Sequence, residues 1–350
     1  MGISDTWLGK KSGDGMPQID AIEPSAALPG GEVRITGKGL KPPQLARPEV
    51  SFAGVRGSII ISSEEFLIAR VPLGAHSGLV TIHNNGSGSN SREIKIAQPI
   101  ADTLHPVANP AVDAEGNIYV TFSGSRGQKV PVAIYKIDTS YNVRPFLTDL
   151  MNATGLAFDS AGQLYVSSRY DGTVYRVAPN GTMSTYAEGM GVATGIAFDH
   201  SGNLYVGDRG GTIWRVAPDR QIFVFATLEP SISAYHLAFS PEGSLYVSGP
   251  TTSSFDPIYA IDPHGSVSSF YRGLGRPQGL AFDAKGNLYV AASLGGKRGI
   301  VKITPEKKAS LAIAGQGLVG LALTRTGGAV LATTSAVFQL SWGVPALSLI

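Results

Sequence analysis

Hydrophobic and polar residues alternate in short runs along most of this chain, and one such run recurs. Gly195–Val206 reads GIAFDHSGNLYV: a short apolar strand, a tight polar turn and a second short strand. Gly155–Val166 (GLAFDSAGQLYV), His236–Val247 (HLAFSPEGSLYV) and Gly279–Val290 (GLAFDAKGNLYV) repeat it. Asn109–Val120 (NPAVDAEGNIYV) and Gly320–Leu331 (GLALTRTGGAVL) are weaker copies. The tyrosine of the second strand keeps the register at Tyr119, Tyr165, Tyr205, Tyr246 and Tyr289, with Val330 in its place in the last copy. The spacings are 46, 40, 41, 43 and 41 residues. A period near forty is that of a propeller blade or a solenoid unit.

Each copy continues with two more alternating segments, such as Thr212–Val216 and Gln221–Phe225 after Tyr205, or Thr173–Val177 and Thr182–Tyr186 after Tyr165. Four short strands per copy, turns rich in Gly, Pro, Asn and Asp, and no helical periodicity predict an all-β chain. Tandem four-stranded units are what a β-propeller is built from, so six copies predict six blades over residues 105–350. The turn D-x-x-G-N opens at Asp113, Asp199 and Asp283, and Asp159 opens D-x-x-G-Q. Asp accepts backbone N–H bonds two residues on, and Gly takes positive φ at no steric cost. A calcium loop needs alternating oxygen ligands of the D-x-D-x-D-G kind, and none is present. These aspartates therefore read as turn formers.

The pattern GxAxDxxGNLYV resembles the NHL-type and senescence-marker-protein/gluconolactonase-like six-bladed propellers over about residues 105–350. In such propellers the first strand of each blade lines a central channel, and small-molecule sites gather where the loops between the second and third strands and between blades emerge. The position before each G-[LI]-A-F-D then matters most: Thr154, Thr194, Tyr235 and Gln278, with Val319 in the last copy. In the gluconolactonase-like enzymes the corresponding places supply an Asn and an Asp for a divalent metal, completed by a Glu near the propeller start. Neither side chain stands at these positions here, and Glu115 lies in a turn. No metal-ligating residue is assigned. A divalent cation, Ca or Mg, is expected only if lactonase chemistry, which needs it as Lewis acid or to activate water, operates from other positions.

Ahead of the repeats, residues 17–97 hold six or seven strand-like runs in about eighty residues, which predicts a small immunoglobulin-like β-sandwich. Ile22 and Pro24, Gly37–Leu40, Val50–Gly54, Val71–Pro72 and Gly78–Ile82 resemble the IPT/TIG immunoglobulin-like module. Some modules of that family bind DNA, others act as spacers. Here Lys38, Lys41, Arg47, Arg56 and Arg70 are scattered rather than clustered, so no nucleic-acid partner is expected. Residues 1–16 read as a tail and 98–104 as a linker, although Gln98–Ala101 also aligns with the outer strand of a blade. Residues 326–350 carry no charge, but the interrupting Gly, Ser, Thr and Pro align them with blade strands rather than a transmembrane helix. Ala346–Ile350 would then be the outer strand of the sixth blade.

Composition narrows the chemistry. Charged residues are 15 % of the chain, against about 25 % in an average protein, and the net charge of +2 provides no field for nucleic acid or membrane. Cysteine is absent, which excludes disulfides, zinc thiolates and a cysteine nucleophile. The six histidines form no H-x-H or H-x-x-x-H pair, and no G-x-S-x-G elbow, P-loop or dinucleotide fingerprint is present. No apolar leader precedes the repeats, so the expected location is cytoplasmic, with export or the cell surface left open.

One constellation remains. Arg169 and Arg209 occupy equivalent positions, four residues after Tyr165 and Tyr205, and are expected on adjacent blades at the loop-bearing face, with Asp171 and Asp208 beside them in sequence. Tyr235, His236 and Gln278 would lie opposite. Two guanidinium groups, an imidazole and an amide suit an anionic or hydroxylated ligand; the alternative is a rim salt bridge such as Arg169–Asp208, worth little. The expected ligand site is Thr154, Arg169, Thr194, Asp208, Arg209, Tyr235, His236 and Gln278. The expected function is non-enzymatic: a binding or scaffolding protein whose propeller loop face meets a protein partner or a small polar or anionic ligand. The long loops Thr121–Pro131 and Ser248–Pro257 would suit partner contact. Two alternatives stand beside it, a metal-dependent lactonase-like hydrolase and an accessory subunit of a larger assembly.

Overall fold

The computed structural model describes residues 16–41, 48–84, 86–125, 127–253 and 256–347. Every regular element among them is a β-strand, as the alternating pattern requires. Most of the expected tail, residues 1–15, and Arg47 lie outside the described residues.

The N-terminal strands alternate buried and open positions, as in Glu32–Lys38, where Val33, Ile35 and Gly37 point inward. Gln18–Glu23, Glu32–Lys38, Phe66–Arg70 and Val55–Ser62 pair antiparallel in that order. Glu49–Phe52 pairs with both Val55–Ser62 and Gly78–Asn84, and the latter pairs with Arg92–Ile96. These strands enclose one apolar core containing Ile19, Ile35, Leu40, Phe52, Leu67 and Ile82. The unit is joined to the repeats. Ala27 pairs in parallel with Ala314, the Leu28 N–H donates to the Ala314 carbonyl at 2.8 Å, and Ala314 belongs to the N-terminal core. Lys95 Nζ donates to the Trp342 carbonyl at 2.9 Å.

The remainder forms successive runs of four antiparallel strands in a propeller-like arrangement. Ala153–Phe158, Leu164–Ser168, Thr173–Val177 and Met183–Ala187 make one discrete sheet, and Ala193–Phe198, Leu204–Asp208, Thr212–Val216 and Ile222–Thr227 the next. A third comprises Ala111–Val112, Ile118–Thr121, Ile134–Ile137 and Val143–Leu147. A fourth is Leu318–Leu323, Gly328–Thr333, Val337–Ser341 and, as its outer strand, Gln98–Ala101. Two further four-strand runs, His236–Gly275 and Leu280–Ala314, are joined by pairing of Leu274 and Gly275 with Leu294 and Ser293. Together with the N-terminal strands they form one hydrogen-bonded system of 17 strands.

The outer strand of the last run corrects one expectation. The described residues of Ala346–Ile350 do not supply it: Ala346 bridges Asp283 and donates to the Thr324 carbonyl at 3.0 Å, and residues 348–350 lie outside the described set. Gln98–Ala101 pairs with Val337–Gln339 instead, so a segment read as linker completes the sheet. A strand drawn from one end of the chain and laid beside the other protects an otherwise open edge.

Three devices explain the repeat. The first is the turn. Asp283 Oδ1 accepts from the backbone N–H of Lys285 and Asn287, both at 2.9 Å, and Oδ2 from Asn287 Nδ2 at 2.8 Å and the Tyr289 hydroxyl at 3.1 Å. Asp199 does the same with Ser201, Asn203 and Tyr205. The register tyrosine is thus a partner of the turn aspartate, and burial followed by the Asp199 charge pushes the Tyr205 hydroxyl up to about 12. The second device is aromatic. Four of the five register tyrosines lie edge-on between two rings: Tyr119 between Phe146 and Phe158, Tyr165 between Tyr186 and Phe198, Tyr205 between Phe225 and Phe239, Tyr246 between Phe270 and Phe282. The second ring of each trio comes from the following run, so the phenylalanine of G-x-A-F stitches neighbours together. The third is the glycine. A Cβ on Gly155 would lie 2.4 Å from the Thr194 carbonyl oxygen and one on Gly195 2.3 Å from that of Tyr235, so only Gly lets adjacent inner strands approach this closely.

Closure uses the first copy, where Asn109 stands in place of the glycine. Asn109 Nδ2 donates to the Leu280 carbonyl at 2.9 Å, and its Oδ1 accepts from the Leu321 N–H at 3.1 Å. Ile118 and Val120 of the first run share a core with Val330 and Val337 of the last. The inner strands therefore surround a central channel.

Candidate functional site

At the end where the inner strands begin, a cavity of about 250 Å³ is lined by Thr154, Thr194, Gln278 and Val319 from the position before the repeat glycine. Arg169, Arg209 and Thr334 line it from the fourth position after the register residue. Pro106, Val107, Ile232, Ser233 and Ala234 complete the lining. The backbone sets this geometry. The loop after each second strand folds back over the preceding connection, with the Arg169 N–H donating to the Asn152 carbonyl and the Arg209 N–H to the Val192 carbonyl, both at 3.2 Å.

The two arginines are held differently. Arg169 Nη2 donates to the Gly124 carbonyl at 2.7 Å, in a loop that Asn152 also grips by accepting from the Gly127 N–H and donating to the Gly124 and Ser125 carbonyls. Asn152 is fully buried in this role. Arg209 is tied only through Nε to the Ser231 carbonyl at 3.4 Å, a long bond. A guanidinium has five N–H donors, and the contact to Ser231 engages one of those of Arg209. No carboxylate lines the cavity among the described residues, so its charge is positive. Thr154 and Thr194 are buried, donating to the Asn152 and Gly207 carbonyls at 3.0 and 2.8 Å, and shape the floor.

Five of the eight residues expected together therefore share one cavity: Thr154, Arg169, Thr194, Arg209 and Gln278. The other three do not line it. Asp208 Oδ1 accepts from the Val192 and Gly210 N–H groups at 2.8 and 3.1 Å and shapes its own turn. Tyr235 occupies a seam between runs, its ring covering Gly207 and Gly249 and its hydroxyl donating to the Glu229 carbonyl. His236 lines the apolar channel beyond the cavity rather than the cavity itself. Thr334 was missed, although it stands four residues after Val330, by the same count that singles out Arg169 and Arg209. His105, whose Nδ1 lies 3.1 Å from the Thr334 carbonyl, sits at this end as well.

The donor set does not fit a divalent metal. Hydroxyls, an amide and two guanidinium groups converge here, and no group of three His, Asp or Glu gathers anywhere among the described residues. Hard cations are held by carboxylates and carbonyls, and two fixed positive charges oppose one. No helix of the described residues is long and apolar enough to cross a membrane.

The model of the strictosidine synthase-like N-terminal family matches residues 195–216, the third repeat. No curated protein matches the sequence. Among solved structures, a gluconolactonase from Xanthomonas campestris superposes with a TM-score of 0.58 at 16% identity, covering 72% of this chain and 90% of that one. An auxiliary nutrient binding protein from Bacteroides thetaiotaomicron gives 0.55 at 12% identity, over 93% and 98%. A catalytically inactive virginiamycin B lyase from Staphylococcus aureus, solved with quinupristin, gives 0.52 at 13% identity, over 95% and 97%. These likenesses are of fold: the chain is a β-propeller of the type that gluconolactonases and virginiamycin B lyases share.

Proposed function

We propose that this chain is a binding protein whose mouth cavity takes a small anionic, hydroxylated molecule. The observation that carries the reading is the convergence of Arg169 and Arg209 with Thr154, Thr194, Gln278 and Thr334 on one cavity whose lining holds no carboxylate. A carboxylate would be held by charge-assisted bonds from the guanidinium groups, and hydroxyls by Gln278 and the threonines. In this reading the six four-strand runs are the blades of a six-bladed propeller. The N-terminal strands are an immunoglobulin-like sandwich of the IPT/TIG kind that presents it, and the likeness to an auxiliary nutrient binding protein agrees with a binding role.

A panel of sugar acids and small carboxylates, screened by thermal shift and followed by calorimetry, tests this. A stabilising carboxylate whose affinity falls at least tenfold in Arg209→Ala, with the fold intact, is the expected result. A panel without a hit, or a hit bound unchanged by the Arg169→Ala/Arg209→Ala double variant, refutes it. The likeness to a gluconolactonase favours a second reading, a lactonase-like hydrolase, but the residues at the mouth would have to act without the metal that reading implies. Hydrolysis of glucono-δ-lactone, lost in Arg209→Ala, would replace the binding reading with that one.

A further inference from the structure

Beyond the mouth cavity the channel continues toward the opposite face as a second space of about 300 Å³. Its side-chain lining is mostly apolar: Ala157, Ala197, Ala238, Ala281 and Ala322 recur around it, one from each of five inner strands, with glycine, leucine and phenylalanine between. Only two lining side chains are polar, Asn109 and His236, and both replace the repeat glycine in their copies. Asn109 is committed on both sides of its amide, to Leu280 and Leu321. His236 is 3 % exposed, and among the described residues no hydrogen bond to its ring is present. Burial drives its pKa down to about 4, so the ring is neutral at neutral pH and offers one N–H donor and one acceptor nitrogen.

We propose that this channel is a second ligand site, for a small uncharged molecule that is mostly apolar and carries one hydroxyl, with His236 as its hydrogen-bonding partner. The chemistry follows from the wall. A charged ligand would lose its hydration with no counter-charge to replace it. An apolar body replaces water favourably and in proportion to the area covered. A hydroxyl in the channel can pair with a ring nitrogen for which no protein partner is present among the described residues. Size agrees, because an apolar cavity of about 150 Å³ already admits benzene. A single-ring phenol matches these requirements. The site differs from the mouth cavity in both walls and charge, so the two readings stand or fall separately.

The test is a titration of the full chain with p-cresol and with toluene, followed by calorimetry and by the histidine ring signals in NMR. Saturable p-cresol binding that moves the His236 signals, at an affinity about three- to tenfold above that of toluene, is expected from one added hydrogen bond. His236→Phe should bring the two affinities together, Ala238→Leu should abolish both by filling the channel, and Arg209→Ala should change neither. No saturable p-cresol binding, equal affinities in the natural chain, or loss on Arg209→Ala overturns the proposal. The comparison in the natural chain decides even if a channel variant fails to fold.

Discussion

His236 makes the stability of this protein depend on pH between neutrality and mild acid. Its folded pKa is pushed from 6.5 down to about 4 by burial in the channel wall. The unfolded chain therefore binds a proton as pH falls through 6.5, while the folded chain refuses it until about pH 4. The unfolded state binds more protons throughout that interval, so stability rises with pH and is lost on acidification. The gap of about 2.5 units corresponds to about 3 kcal/mol at full effect, at about 1.4 kcal/mol per unit. About 2 kcal/mol of it is already lost at pH 5, a large share of the 5–15 kcal/mol typical of a whole domain. The perturbation is His236→Phe, which keeps a ring in the wall and removes the titration. Urea unfolding of both chains at half-unit steps from pH 7.5 to 5 gives the difference in slope directly. The natural chain should lose about 2 kcal/mol more than the variant across that range. Parallel curves would show that the imidazole is solvated in the folded chain, and would refute the burial argument together with the site built on it.

Other expectations follow from the repeat. Asp283→Ala leaves four donors around a nearly buried carboxylate without a partner and should cost about 3–5 kcal/mol, measured by chemical denaturation. Asp262 makes only the two backbone bonds, to His264 and Ser266, in an exposed turn, so Asp262→Ala should scarcely move the midpoint; a loss equal to that of Asp283→Ala would mean that burial and the side-chain bonds do not set the value of this turn. Gly195→Ala places a Cβ 2.3 Å from the Tyr235 carbonyl oxygen and should cost about 1–3 kcal/mol, whereas a melting temperature equal to that of the natural chain would show that the inner strands can part. In the fourth copy Ser240 stands where others carry Asp, buried and with its Oγ unpartnered among the described residues. Ser240→Asp with Ser244→Asn should rebuild the turn under Tyr246 and raise stability by about 1 kcal/mol, seen as a rise in melting temperature.

What the sequence made legible was whatever every copy must repeat. The turn aspartates were readable as turn formers because their partners lie within four residues. The tyrosine gave the register, but its bond to the aspartate and its two ring contacts were not legible, since one ring belongs to the next run. The outer strand at Gln98–Ala101 was ambiguous for a related reason. A four-residue strand gives little periodic signal, and its partner lies more than two hundred residues away. At the site, counting from the tyrosine found Arg169 and Arg209 because equivalent backbone positions emerge at the same face. Counting failed for Tyr235, whose position in other copies holds Thr or Gln. Its large ring turns into the space left by Gly207 and Gly249 and finds a carbonyl there. It failed for His236 because successive residues of a strand point in opposite directions, so Tyr235 and His236 do not share a surface.

The same reasoning shows why this fold can carry two unlike sites. Seams and turns fix the phenylalanine, the tyrosine and the turn aspartate in most copies, and close approach fixes the glycine in four of the six. Substitution there is opposed by packing with both neighbours, as the 2.3 Å approach at Gly195 illustrates. The residue before the glycine and the fourth residue after the tyrosine touch the mouth rather than a seam. They vary freely: Thr154, Thr194, Gln278 and Val319 at the first, Arg169, Arg209 and Thr334 at the second. The two copies that abandon glycine put their side chains on the channel wall. Asn109 is spent on closing the ring, and its two backbone bonds account for it fully. His236 closes nothing, yet it stands in a slot where a side chain must displace the close strand contact that glycine permits, and it is buried without a ring partner among the described residues. A buried polar group with no structural return is where a ligand is expected to supply the missing bond.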